Sequence, residues 1–200
     1  MRIRQYSISS SPLWNGTCVS ITLSIVQLPN EAGLSNKFLG VASNYLAKVC
    51  TGDRVQVGIR SSAATFHLPE DSSVPVGMFA AGSGIAPMRG FIQQRDFLYV
   101  EDDLKEWEEL GFLEVKLAFR RKIEDSFGCR YVQDRALYDK ELIYEYFFAG
   151  AKFYTCGSPP VANALKESLI SLVKFCHADW DDERLARKWG SIQKVRLITF

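Results

Sequence analysis

The sequence predicts two unlike halves: a β-rich half over residues 1–72 and an α/β half with a parallel sheet over residues 73–200. Three observations carry this. The first half holds short β-type runs separated by turn residues. From residue 74 onward, strand-like runs alternate with helix-like ones, the pattern of a parallel sheet flanked by helices. At the passage between them an apolar segment, residues 74–81, runs into Gly82-Ser83-Gly84, and helical spacing follows over 86–98. Strand, glycine turn and helix in that order let the backbone approach a ligand closely, and they aim the free N–H groups of a helix start at an anion. Gly-x-Gly before a helix is also common turn chemistry, so the motif gains meaning only from its neighbours.

In the first half, residues 3–8, 18–26 and 54–60 read as strands, with breaks at Pro12, Asn15-Gly16, Pro29-Asn30 and Gly52-Asp53. Residues 39–49 alone have helical spacing there. The polar stretch from Pro69 to Pro75 is the expected boundary. Beyond it, residues 74–80, 113–119 and 152–156 read as strands. Residues 86–98, 104–110, 131–138, 140–148, 160–175 and 181–189 read as helices.

Composition narrows the function classes. Hydrophobic residues at 47% and charged residues at 24% suit an ordinary globular chain, and a net charge of +1 gives no reason to invoke nucleic acid or an anionic membrane. Five cysteines, Cys18, Cys50, Cys129, Cys156 and Cys176, are widely spaced without any Cys-x-x-Cys, which argues against a disulfide framework or zinc site. His67 and His177 stand alone, where a metal site needs several converging ligands, so no metal is expected. No secretory leader is visible, and no apolar run approaches the ~20 residues that span a bilayer. A cytoplasmic location is the expectation.

Four further constellations point one way. Arg4 and Tyr6 share one face of a strand, where a cation and an aromatic ring can hold a phosphate and stack on a flat ring; a half-exposed edge strand would look the same. Gly40-Val41-Ala42-Ser43 puts small residues at a helix start, which suits an anion or plain capping. Arg120-Arg121 follows the run 113–119, with Arg130-Tyr131 soon after; paired arginines at the carboxyl end of a parallel strand fit a phosphomonoester, or a solvated basic loop. Tyr154-Thr155-Cys156-Gly157-Ser158 ends a buried-looking strand at a glycine turn, which brings a thiol to the sheet edge where open α/β sheets bind ligands; a cysteine there also reads as a small core residue.

Taken in chain order, these motifs resemble the FAD/NADPH half of diflavin reductases, the NADPH–cytochrome P-450 reductase and sulfite reductase flavoprotein group. Residues 4–12, 39–46 and 128–135 are similar to fungal self-sufficient fusions, in which a fatty-acid-hydroxylating cytochrome P-450 is joined to its own reductase. The resemblance implies a partial antiparallel β-barrel of the FAD-binding, ferredoxin-reductase type over residues 1–72, then an NADP(H)-binding α/β domain over 73–200 that lacks one strand. It implies that Arg4 holds the FAD pyrophosphate, with Gln5 beside it, that Tyr6 stacks on the isoalloxazine, and that Ser7 assists hydride transfer near flavin N5. Thr22, Leu23 and Ser24 would line FAD, and Gly40, Val41, Ala42 and Ser43 would hold its pyrophosphate through backbone N–H groups. Ser83 would contact NADPH; Arg120, Arg121, Arg130 and Tyr131 would surround its 2′-phosphate; Gln133 would meet the adenosine half; Cys156 would sit beside the nicotinamide. In the complete family, electrons pass from FAD to FMN and on to a haem-thiolate monooxygenase, so an FMN domain and a haem protein are the implied partners.

The sequence also departs from that pattern. A second strand of the nucleotide sheet, usual between positions matching Arg95 and Leu98-Tyr99, is missing. Phe119-Arg120-Arg121 replaces the usual Phe-Ser-Arg, and Ala80 stands where a glycine is usual. The family's barrel has strands upstream of Met1, and its FMN and connecting domains have no counterpart here. The closing residues Arg196 to Phe200 hold no equivalent of the family's catalytic aspartate. Two readings stay open: a segment that transfers hydride from NADPH to FAD, and a catalytically inactive remnant that serves as a nucleotide-binding or interaction module.

Overall fold

The computed structural model describes residues 3–28, 37–61, 66–96, 108–109, 111 and 113–176. The expected helix 181–189, most of 104–110, the end of 86–98, His177 and Arg196 to Phe200 lie outside the described residues.

In the first half, regular structure is sparse. β1 (Gln27–Leu28) pairs antiparallel with β2 (Phe38–Leu39), and Ile8 and Ile21 form an isolated antiparallel bridge. The expected strands 3–8 and 18–26 thus meet at one point rather than along a ladder. The expected strand 54–60 forms no ladder among the described residues, and Val57 and Ile59 are exposed. Alternating apolar residues become a strand only where a neighbour takes up their backbone hydrogen bonds, and 54–60 has no such neighbour among the described residues. Helix α1 (Val41–Leu46) is shorter than the expected 39–49, because Phe38 and Leu39 are spent on β2.

The second half follows its pattern more closely. β3 (Val76–Ala80) and β4 (Lys152–Cys156) pair in parallel, from Val76 opposite Lys152 to Ala80 opposite Cys156. A 3₁₀ turn, Gly82–Gly84, leads from β3 into α2 (Ile85–Asp96). A second 3₁₀ turn, Ile123–Ser126, precedes α3 (Val132–Tyr138), α4 (Lys140–Phe148) and, after β4, α5 (Pro159–Cys176). Residues 113–119, expected as a strand, pair with neither β3 nor β4; the amide of Phe119 instead donates to Ser126 Oγ at 3.1 Å and to the Cys129 carbonyl at 3.2 Å. Local turn contacts have taken the hydrogen bond that a ladder would have used.

β4 sorts the core because successive side chains leave opposite faces of a strand. Phe153 joins Ala136, Ile143, Phe147, Leu165, Leu169 and Val173 in a cluster built with α3, α4 and α5. Leu165, Leu169, Leu172 and Val173 form the apolar stripe of α5 at helical spacing. Tyr154 and Cys156 point the other way, into a cluster with Phe66 and Met88 under α2. The Phe66 ring lies 5.1 Å from Phe91 and 5.8 Å from Tyr154, the latter edge-to-face. The Tyr154 hydroxyl donates to the His67 carbonyl at 2.7 Å, and Arg95 Nη2 donates to the carbonyls of Ser72 at 2.7 Å and Val74 at 2.8 Å. The proline-bracketed stretch is thereby fastened to α2 and β4. No helix of the described residues is long and apolar enough to cross a membrane.

Candidate functional site

The carboxyl ends of β3 and β4 meet at the glycine turn. Gly82 has φ +56°, with open space where a Cβ would stand. Gly84 is there for contact: a Cβ would overlap the Cys156 carbonyl oxygen and lie 2.6 Å from its carbon. The amide of Ala81 donates to that same carbonyl at 3.0 Å, so the turn is pinned against the end of β4. Twelve residues of α2 follow, their first turn opening beside Ser83, which is half-buried. Cys156 itself is 1% exposed and packs under α2. Burial pushes its thiol up from the ordinary cysteine range, so at neutral pH it is protonated.

A second locus gathers the arginines. The bonds from Phe119 to Ser126 and Cys129 bring Arg120 and Arg121 beside Arg130 and Tyr131, and all four are exposed. The Asp134 carboxylate accepts from the amides of Arg130 at 3.1 Å and Tyr131 at 3.0 Å, which caps α3 and fixes the entry of that chain. Arg135, absent from the sequence-based set, holds the locus from beneath. It is buried, ion-paired with Asp139, bonded to the Leu117 carbonyl at 3.3 Å, and set 5.1 Å from the Phe127 ring centre. The side-chain oxygen of Gln133 is buried and without a hydrogen-bond partner among the described residues.

The third locus is a hub around residues 20–26. The Ile8–Ile21 bridge sets the segment ending in Arg4, Gln5, Tyr6 and Ser7 next to the one beginning with Thr22, Leu23 and Ser24. Two residues further, Val26 accepts from the Gly40 amide at 2.9 Å, while the Val26 amide donates to Ser43 Oγ at 3.1 Å. Gly40 must be glycine, since a Cβ would come within 2.7 Å of Val26 Cβ. All three sequence-predicted FAD segments therefore converge. Arg4 and Gln5 are exposed and Tyr6 and Ser7 half-buried, but the Ser43 hydroxyl is committed to Val26 and the Gly40 carbonyl. Val41 is exposed and Ala42 half-buried.

Helix α2 joins the hub to the glycine turn. Arg89 Nη1 donates to the Ser9 carbonyl at 2.7 Å and Ser20 Oγ at 3.2 Å. One turn on, Gln93 Oε1 accepts from the Ser11 amide at 3.0 Å. Burial draws the Arg89 guanidinium down from its ordinary value, though it remains a cation at physiological pH. Sequence reasoning missed this pair. The available signal is a polar i, i+4 pair in phase with Ala86 on a helix whose other buried residues, such as Met88, are apolar.

No family model matches the chain. Individual relatives do. A self-sufficient cytochrome P450 monooxygenase of Phanerodontia chrysosporium is 46% identical over 93% of the chain. Bifunctional cytochrome P450/NADPH–P450 reductases of Fusarium oxysporum and Acremonium egyptiacum are 35% and 32% identical over 94% and 100% of it. Over most of its length the chain is homologous to self-sufficient P450/NADPH–P450 reductase fusions, consistent with a reductase segment of that family. It spans only 20–21% of the length of these three fusion proteins. Against the Acremonium fusion all 200 residues align over 225 positions, so about 25 positions inside the aligned span have no residue here. A shortfall of this kind agrees with an internally shortened reductase segment. The motifs that led to the family lie on both sides of the boundary at residues 69–75, and the relatives likewise align across it.

Proposed function

We propose that this chain is the NADPH- and FAD-binding segment of a P450-reductase-type electron-transfer protein. The single observation that carries the reading is convergence: three separate FAD-type segments meet at residues 20–26, and the helix behind the Gly82–Gly84 turn docks on that hub.

The residues fit the two groups. The open space above Gly82 and the first turn of α2 suit a nucleotide pyrophosphate. The exposed arginine locus suits a 2′-phosphate, and the orphaned Gln133 oxygen suits a donor such as an adenine amino group. On the flavin side, Arg4 is exposed for a phosphate and Tyr6 offers a ring for stacking. When bound, the pair supplies hydride transfer from nicotinamide to flavin; the chain's own residues bind and orient it. Ser7, beside Tyr6, is positioned in sequence to donate a hydrogen bond at the flavin edge. Cys156 needs a shift of Phe66 or α2 before its thiol can touch a nicotinamide, because its present neighbours cover it. In the whole fusion, an FMN domain and a haem-thiolate monooxygenase would receive the electrons.

A narrower second reading, binding with little turnover, is favoured by the buried Cys156 thiol and by the positions missing from the aligned span. Reconstitution with excess FAD tests both. The purified chain is expected to retain flavin absorbance after desalting, and Tyr6→Ala is expected to lose it with the second half still folded. A chain that takes up no flavin overturns the FAD assignment. Slow NADPH-driven ferricyanide reduction with negligible cytochrome c reduction supports the narrower reading, whereas brisk cytochrome c reduction refutes it.

A further inference from the structure

We propose that Arg89 and Gln93 are positioning residues. They clamp the segment 9–11 onto α2, and so tie occupancy of the glycine turn to the position of Tyr6 and Ser7. The inference rests on the nucleotide reading above and extends it to residues that no binding role explains.

The geometry is specific. Both side chains leave one face of α2, one turn apart, and both reach across more than 65 residues of sequence. Arg89 spends one nitrogen on two acceptors, the Ser9 carbonyl and Ser20 Oγ, which lie on the two segments joined by the Ile8–Ile21 bridge. The amide of Ser9 donates to the Ser20 carbonyl at 2.8 Å, so the arginine grips a crossing that is already paired. Gln93 takes the Ser11 amide, and between them the Ser10 carbonyl oxygen packs on the helix at an ordinary 3.5 Å from where a Cβ of Gly90 would stand. Ser9, Ser10 and Ser11 are all buried against this face. Three successive serines in a core contact are there for their backbone and hydroxyls, since they add almost no apolar area.

Gln93 is wholly buried, yet its Nε2 has no partner among the described residues. A buried amide with an idle donor is costly, and an apolar side chain would fill the same space without that cost. Packing alone therefore does not account for a glutamine; its acceptor toward Ser11 does. Because α2 is a rigid element that follows directly on the Gly82–Gly84 turn, a shift of its first turn is carried along the helix to Arg89 and Gln93. From there it reaches Ser9, two residues after Ser7 and next to the Ile8–Ile21 bridge.

Hydrogen exchange on the full chain tests this, with and without NADPH, for wild type, Arg89→Ala, Arg89→Lys and Gln93→Leu. In wild type, NADPH is expected to slow exchange both at residues 83–86 and at 9–11. Gln93→Leu leaves the buried Ser11 amide without its acceptor, and its exchange should accelerate about ten- to a hundredfold while α5 is unchanged. In Arg89→Ala and Gln93→Leu, NADPH should still protect 83–86 but no longer 9–11. Arg89→Lys, which keeps the charge and one of the two bonds, should restore part of that distant response. A merely structural role would leave the NADPH response at 9–11 unaltered in every variant. Protection at 83–86 without any at 9–11 in wild type overturns the clamp and spares the nucleotide reading. No protection at 83–86 in wild type overturns both.

Discussion

Three glycines within nine residues make different demands, and substituting each by alanine separates them. At Gly84 the new methyl would overlap backbone: it would stand 2.6 Å from the Cys156 carbonyl carbon and 3.2 Å from the Gly157 nitrogen. Ordinary carbon–carbon contact begins near ~3.5 Å, so the turn or the end of β4 must move by about 1 Å, and neither is a side chain that can swing aside. Overpacking of this kind costs about 3 kcal/mol or more. At Gly82 the space is open but φ is +56°, which costs an alanine about 1–2 kcal/mol, partly offset by the lost flexibility of the unfolded chain. At Gly90 the nearest atom is the Ser10 carbonyl oxygen at an ordinary 3.5 Å, and alanine inside a helix gains about 1 kcal/mol over glycine. Urea unfolding followed by circular dichroism should rank the variants with Gly84→Ala far below Gly82→Ala, and Gly90→Ala at or above wild type. In thermal melts the first should lose roughly 6–12 °C for a chain of this size. A Gly84→Ala variant within about 0.5 kcal/mol of Gly82→Ala would refute the claim that the turn is pinned by backbone contact with β4.

Two further predictions concern charge and pH. Arg121→Ala should weaken NADPH about fivefold while leaving NADH unchanged in a fluorescence titration, because an exposed charge pair is worth about 1 kcal/mol; the difference should shrink in 0.5 M salt. Equal wild-type affinity for the two nucleotides would sink the assignment. Burial raises the Cys156 thiol above its ordinary value, so the folded chain holds a proton that the unfolded chain releases near roughly pH 8.5. That contribution is complete below the unfolded value and is lost as pH climbs toward the folded one. Stability should therefore fall on the alkaline side, with a shallower slope in Cys156→Ala, and at pH 8 a thiol reagent should label exposed Cys18 and Cys50 well before Cys156.

The elements that were legible in the sequence are those whose side chains decide them locally. β4 was readable because five residues in a row are bounded by Gly150 and Gly157, and α5 because Leu165, Leu169, Leu172 and Val173 recur at helical spacing. The runs 54–60 and 113–119 carry an equally good alternation, yet neither joins a ladder among the described residues. A strand is a relation between two segments, and alternation reports only one of them. The pattern states which face a strand would bury if paired; it is silent on whether a partner arrives.

The candidate site divides along the same line. Glycines and exposed arginines could be picked out because their chemistry is intrinsic: Gly84 needs no Cβ, and Arg121 needs no neighbour to carry a charge. Cys156 stands at the carboxyl end of its strand, as the sequence predicts, but strand parity turns its thiol inward with Tyr154. Ser43 reads in the sequence as a small residue at a helix start, and its hydroxyl accepts from the Val26 amide. Arg89, Gln93 and the serines at 9–11 went unread because each is ordinary alone: a helix surface arginine, a helix glutamine and a polar loop. Their meaning lies in contacts spanning 69 to 82 residues of sequence, which no window along the chain contains. If two cofactors must be held in register by separate halves of one chain, the residues that set the register belong at the joint between them. Such residues touch neither ligand, and a search for cofactor-binding motifs passes over them for that reason.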